Sequence, residues 1–324
     1  MNTPDSVGQQ LHALNQLKAD LTAPESHAQL KQALGDPSNR VVERAAELIA
    51  ETEDNTFAPQ LLKAYARLKR NPLKKDPGCL GKTALVKALV QIEHTNPDVF
   101  RDGVVYQQIE PHWKGDRDTA AELRGICAIG LVHFIPTLEV LNHCAMLLVD
   151  RWPEARLGAA QALGVLGQAE ATPLLRMKLK LGDDQAEVHG ECCSALLKID
   201  RETGVEFLRP FLASHNADLC VQTALALGEA KLPGTFDLLR STWGHRSELG
   251  VRESLLLCIG LLRSTESQDF LLSLIDARDL RTAADAVKAL RLHKDQGEIR
   301  QRTEAAVEQT GSEELGRVFR TEWQ

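Results

Sequence analysis

The chain has 324 residues, 43% of them hydrophobic, and a net charge of −7. That apolar share excludes a disordered chain, which cannot bury enough surface to offset the entropy of ordering. The acidic balance argues against a surface dedicated to nucleic acid, where affinity comes mostly from neutralised phosphates.

The first residues, Met1 to Ser6, lack the basic and apolar regions of a secretory signal. No apolar run approaches the ~20 residues of a membrane helix. The expected address is the cytoplasm, with no membrane partner. Aromatics make up only 4% of the chain, so the core must be built from Leu, Ala, Val and Ile, which suits close helix-on-helix packing.

A helix is expected near residues 6–21, and after it a pattern begins to recur. A small or apolar cluster is followed by Leu or Ile and often by Gly: RAAELIA at 44–50, LVKALVQ at 85–91, ICAIGLV at 126–132, AAQALGV at 159–165, CCSALLK at 192–198. TALALGE at 223–229, LLLCIGL at 255–261 and AVKALRL at 286–292 continue it. The residues just before the Leu or Ile are Leu48, Ala88, Ala128, Ala162, Ala195, Ala226, Cys258 and Ala289. A period of 30–40 residues points to a solenoid. Each unit has room for two helices of about 12 residues and two turns. First helices are expected at 172–181, 204–213, 235–242 and 267–276, with Leu or Phe at helical spacing. Pro153, Pro173, Pro210 and Pro233 fall near helix ends. Strand signals are almost absent. Two helices at 296–309 and 313–323 fall outside the pattern and are expected to cap the stack.

The ankyrin T-P-L-H and tetratricopeptide W-x2-L-G signatures are missing. Stretches such as EARLGAAQALG at 154–164 and VRESL at 251–255 resemble the second helix of HEAT repeats, and most closely the short HEAT-like repeat of phycobilin lyases. The likeness covers roughly residues 25–295. It implies an all-α right-handed superhelix, an armadillo-like α-solenoid of about eight helix pairs. The longer second and third units resemble those of bacterial HEAT-repeat proteins, which implies no particular activity. The expected organisation is a single solenoid over 1–324: a cap at 1–24, irregular repeats at 25–135, regular ones at 136–295, and caps at 296–324.

Two stretches lengthen the early units, 67–81 and 110–122, and irregular connections in a regular scaffold often carry function. The first is basic. Between Phe57 and Val90 the local charge is +7, from residues including Lys69, Arg70, Lys74, Lys75 and Lys82, against Asp76 alone. Such a cluster attracts phosphate, a nucleic-acid backbone or an acidic peptide, or it is a solvated face. Tyr65 is its sole aromatic, which weakens base stacking. The second holds His112, Trp113, Asp118, Glu122 and Arg124. At helical spacing Asp118, Glu122 and Gly125 share a face. Paired carboxylates beside a Trp serve acid–base chemistry or hold a cation. Alternatively Asp118 is an N-terminal helix cap, Trp113 packs over the preceding turn and Glu122 pairs with an Arg of a neighbouring repeat.

No catalytic motif is present. His189-Gly190-Glu191 matches the H-x-E of zinc deaminases but no P-C-x-x-C follows, and no metal site or cofactor is expected. The odd seven cysteines lack a CxxC, and Cys127, Cys193 and Cys258 sit on apolar stripes as reduced core residues. The expected function is a non-catalytic scaffold gripping a protein or peptide in its groove. The repeat type also implies two alternatives: a HEAT-like DNA glycosylase, which surrounds a damaged base with Trp and Asp on a basic face, or a bilin lyase-like enzyme or chaperone.

Overall fold

The computed structural model describes residues 4–276 and 279–323, so the outer ends of both expected caps, residues 1–3 and 324, lie outside it. The chain divides into two compact units, residues 1–166 and 167–324. Each is an all-α solenoid stack of paired helices. Among the described residues, no helix is long and apolar enough to cross a membrane.

The first unit opens with α1 (Pro4–Gln16) and continues as four pairs: α2 (Pro24–Ala33) with α3 (Asn39–Ala50), then α4 (Ala58–Lys69) with α6 (Leu80–Gln91), the short α5 (Pro72–Lys75) lying between them. The pairs α7 (Asp98–Gly103) with α8 (Ala121–Leu131), and α9 (Thr137–Leu147) with α10 (Pro153–Leu166), complete it. Its second helices pack side by side in the order α3, α6, α8, α10. All four of its repeat-marking residues, Leu48, Ala88, Ala128 and Ala162, are buried in that seam. Small residues permit the approach. A Cβ on Gly158 would stand 2.3 Å from the Gly125 Cα, so α8 and α10 touch backbone to backbone there.

The second unit pairs α11 (Thr172–Leu181) with α12 (Ala186–Ile199), α13 (Arg201–Leu212) with α14 (Ala217–Ala230), α15 (Thr235–His245) with α16 (Leu249–Leu261), and α17 (Thr265–Ser273) with α18 (Leu280–Leu290). Here too the second helices stack consecutively, and Ala195, Ala226, Cys258 and Ala289 are buried between them. Two further helices, α19 (Gly297–Gln309) and α20 (Glu313–Glu322), close the stack on α17 and α18. Trp323 covers the end: it is buried, stacked on Phe319, and its Nε1 donates to the Val287 carbonyl.

His189, set aside as a metal ligand, is a core residue of this seam. Thr223 gives its hydroxyl proton to the Leu219 carbonyl at 2.7 Å. The His189 Nε2, 3.0 Å from that hydroxyl, is therefore the donor to it. Burial pushes the imidazole pKa down to about 4.

One sequence expectation is corrected. The chain contains a β-hairpin, β1 (Ile109–His112) antiparallel to β2 (Gly115–Asp118), with His112 opposite Gly115. Its turn is Trp113-Lys114, and Gly115 takes the positive φ of 109° that follows it. The strands escape recognition because charged and polar residues occupy both faces, leaving no apolar alternation to read.

Two outcomes are expected. Gly158→Ala should destabilise the protein by about 1–3 kcal/mol through overpacking against backbone. Gly250→Ala, which meets nothing within 4 Å, should be neutral or stabilising by up to about 1 kcal/mol. Urea midpoints read both. For His189 the unfolded ring titrates near 6.5, so between that value and about 4 the unfolded chain binds more protons. Stability should therefore fall by up to about 3 kcal/mol as pH drops through that window. His189→Gln should flatten the dependence in urea titrations at several pH values.

Candidate functional site

The two stretches that lengthen the early repeats meet in the first unit, in the turns joining first to second helices. Asp76 organises the first turn. Its fully buried carboxylate accepts from Gly81 N (2.8 Å), Lys82 N (3.0 Å), Asn39 Nδ2 (3.0 Å) and Lys82 Nζ (2.8 Å). It thus satisfies the first amides of α6 and holds the chain to α3. Lys82 is fully buried as well, with its ammonium 5.5 Å from the centre of the Tyr106 ring. One charge of the expected basic surface is therefore an internal ion-pair member.

The second turn is tied to the first through Glu110. Its Oε1 accepts from Gly78 N (2.8 Å), Gln108 Nε2 (2.6 Å) and Thr119 Oγ1 (2.7 Å). Gln108 Nε2 also donates to the Asp76 carbonyl at 2.8 Å. The hairpin base is so fastened to the turn before α6. Sequence reading did not single out Glu110; its placement in the second long connection was the available signal.

Arg124 anchors the third turn. Its Nη1 meets Asp118 Oδ2 at 2.5 Å and the Tyr106 carbonyl at 2.9 Å, and its Nη2 meets Asp150 Oδ2 at 2.9 Å. Asp118 takes two backbone amides on its other oxygen, from Gln108 and Ala120. Both Asp118 and Arg124 are buried.

This corrects the reading of Asp118 and Glu122 as partners on one helical face. Asp118 ends β2, α8 starts only at Ala121, and Glu122 points to solvent, bridged to Lys87 at 2.6 Å. Trp113 does not pack on the preceding turn. It stands at the hairpin tip, 81% exposed, beside His112 and under the Lys114 ammonium. Trp113 and Asp118 therefore do not face a common cavity. Lys69 lies against Tyr106 and Tyr65 and is bound by both oxygens of Asp102. Arg70 and Lys74 are exposed, and Lys75 is half-buried.

A groove of about 280 Å³ runs beside this network, between α3, α6 and α8. Gly78 and Thr119, one from each lengthened turn, line it together with the small residues Ala50 and Ala84. Glu43, Glu47 and Glu122 supply three carboxylates against Lys87. Arg44 engages Glu47 at 2.8 Å. Half-buried Glu43 makes no side-chain hydrogen bond among the described residues, and desolvation, reinforced by Glu47, raises its carboxyl above the usual range. Among the described residues, no three His, Cys, Asp or Glu are placed to hold a metal ion.

No protein-family model matches the chain, and no curated protein matches it. Among solved structures, human deoxyhypusine hydroxylase in complex with glycerol is similar over 80% of this chain and 95% of its own, at 21% identity and a TM-score of 0.32. An engineered protein is similar over 98% of this chain and 92% of its own, at 15% identity and a TM-score of 0.38.

Truncating Glu110 to Ala should free the hairpin without opening the unit. Amide exchange at residues 109–118 should accelerate while the urea midpoint barely moves. Lys82→Met, which strands the buried Asp76 charge, should instead cost about 3–5 kcal/mol globally.

Proposed function

We propose that this protein is a non-catalytic, HEAT-like scaffold that holds a peptide segment of another protein along its second helices. The observation that supports this reading is the groove between α3, α6 and α8. It is open, lined by small residues and by carboxylates, of which Glu43 is desolvated and has no side-chain hydrogen bond among the described residues. A desolvated carboxylate gains most from an incoming cation, because it has already lost part of its hydration. The segment that fits is extended or helical and presents Lys or Arg toward Glu43 and Glu47. The second unit offers a comparable groove of about 400 Å³ between α12 and α14, lined by Ser194, Lys198, Ala226 and Glu229 among others. The buried ionisable groups support a structural role, since Asp76, Lys82, Asp118 and Arg124 are consumed by one another and by backbone.

The test is cross-linked capture with the full chain. A bound protein should cross-link at the α3–α6–α8 groove. Its affinity should fall tenfold or more in a Glu43→Lys/Glu47→Lys variant, about the worth of one charged hydrogen bond. A partner held equally well by the variant would overturn the reading.

A further inference from the structure

The same network that positions the hairpin changes the charge of the surface around it. Six carboxylates belong to the three linked turns and their flanks: Asp76, Asp102, Glu110, Asp118, Asp150 and Glu154. Each is drawn into a pair or a bond. Asp76 faces Lys82, Asp102 faces Lys69, and Asp118 and Asp150 share Arg124. Glu110 takes three neutral donors, and Glu154 binds Arg117 at 2.8 Å. Five cations on these turns, Arg70, Lys74, Lys75, Lys114 and Arg151, make no ion pair among the described residues; two acids, Glu110 and Asp116, also make none, and Asp118 and Asp150 share one cation, so nine cations stand against seven acids there. An acidic protein thereby presents a locally cationic ridge.

The fold also brings to this ridge the aromatic rings that the basic segment lacks in sequence. Trp113 projects from the hairpin tip with Lys114 4.5 Å from its ring centre. Trp152, on the adjoining turn, has two guanidinium groups over its ring, Arg151 at 5.2 Å and Arg117 at 6.0 Å from the centre.

We propose that this ridge binds single-stranded nucleic acid, with phosphates on Arg70, Lys74, Lys75, Lys114 and Arg151 and an unpaired base stacked on Trp113. Cations that track a backbone, interleaved with exposed aromatic faces, are the requirement for sequence-tolerant single-strand binding. A closed duplex has no free base to lay on a single projecting indole, so the strand is favoured over the duplex. Leu73, Val105, Ile109 and Val149 are also exposed on these turns, so an anionic lipid surface is the competing occupant, and the vesicle arm of the experiment decides for or against it.

The experiment is fluorescence anisotropy of a short labelled oligothymidylate with the full chain, titrated with salt. Binding should weaken with salt at a log–log slope of up to about −3.5, for five phosphates on a single strand. Trp113→Ala should weaken binding about tenfold or more with little change in slope. Lys74→Ala/Lys75→Ala should reduce the slope by about 1.4. All these positions are on the surface or in the turns, and circular dichroism establishes that each variant folds. The proposal is overturned if the strand shows no binding at low salt, if Trp113→Ala binds as tightly as the parent, or if a duplex of equal length or phosphatidylserine vesicles hold the protein better than the strand does.

Discussion

Helix axes come as close as the side chains between them allow, and here that limit is set by alanine and glycine. In each unit the second helices meet along a seam in which the repeat-marking position is always buried. At Gly125 and Gly158 the seam narrows to backbone on backbone. With the second helices packed this closely, their outward residues line grooves between neighbouring helices. Side chains such as Glu43, Lys87 and Glu122 then face one another across a groove although they are dozens of residues apart in the chain.

The turns answer to a different force. A connection longer than the stack requires must still satisfy its own amides and carbonyls. In the first unit it does so by spending carboxylates inward. Asp76 bonds the start of α6, Glu110 bonds across from one turn to the next, and Asp118 and Asp150 clamp Arg124. Buried ion pairs of this kind contribute little net stability, because desolvation cancels much of the attraction. What they do here is fix geometry: the hairpin has no apolar face of its own to bury, and Glu110 with Gln108 holds its base in one place.

Most of the helical repeat was legible in the sequence, since burial in a regular stack leaves a regular trace. The eight repeat-marking positions fall in eight second helices, and the expected first helix at 172–181 coincides with α11. The candidate site was legible only in part. The two irregular stretches were recognised by length, yet Lys82 was counted as surface charge, because nothing local distinguishes a lysine whose partner lies six residues back across a turn. Asp118 sits at helical spacing from Glu122 and Gly125, which reads as one helical face, and the strand it ends has no apolar alternation to show otherwise. Glu110 acts through donors from three separate positions, and such convergence is a property of tertiary structure alone.

The seven thiols carry a last consequence. Every one is buried, three in the first unit and four in the second. Where a pKa shift is resolved, burial raises it; Cys144, Cys192 and Cys258 are pushed up to about 12. Reactivity toward electrophiles and peroxide resides in the thiolate, so the intact stack keeps its buried cysteines poorly reactive. A repeat that opens exposes a thiol to oxidants, and an oxidised sulfur no longer fits a seam built for a small apolar group. Oxidation of such a protein falls first on the copies that have already loosened.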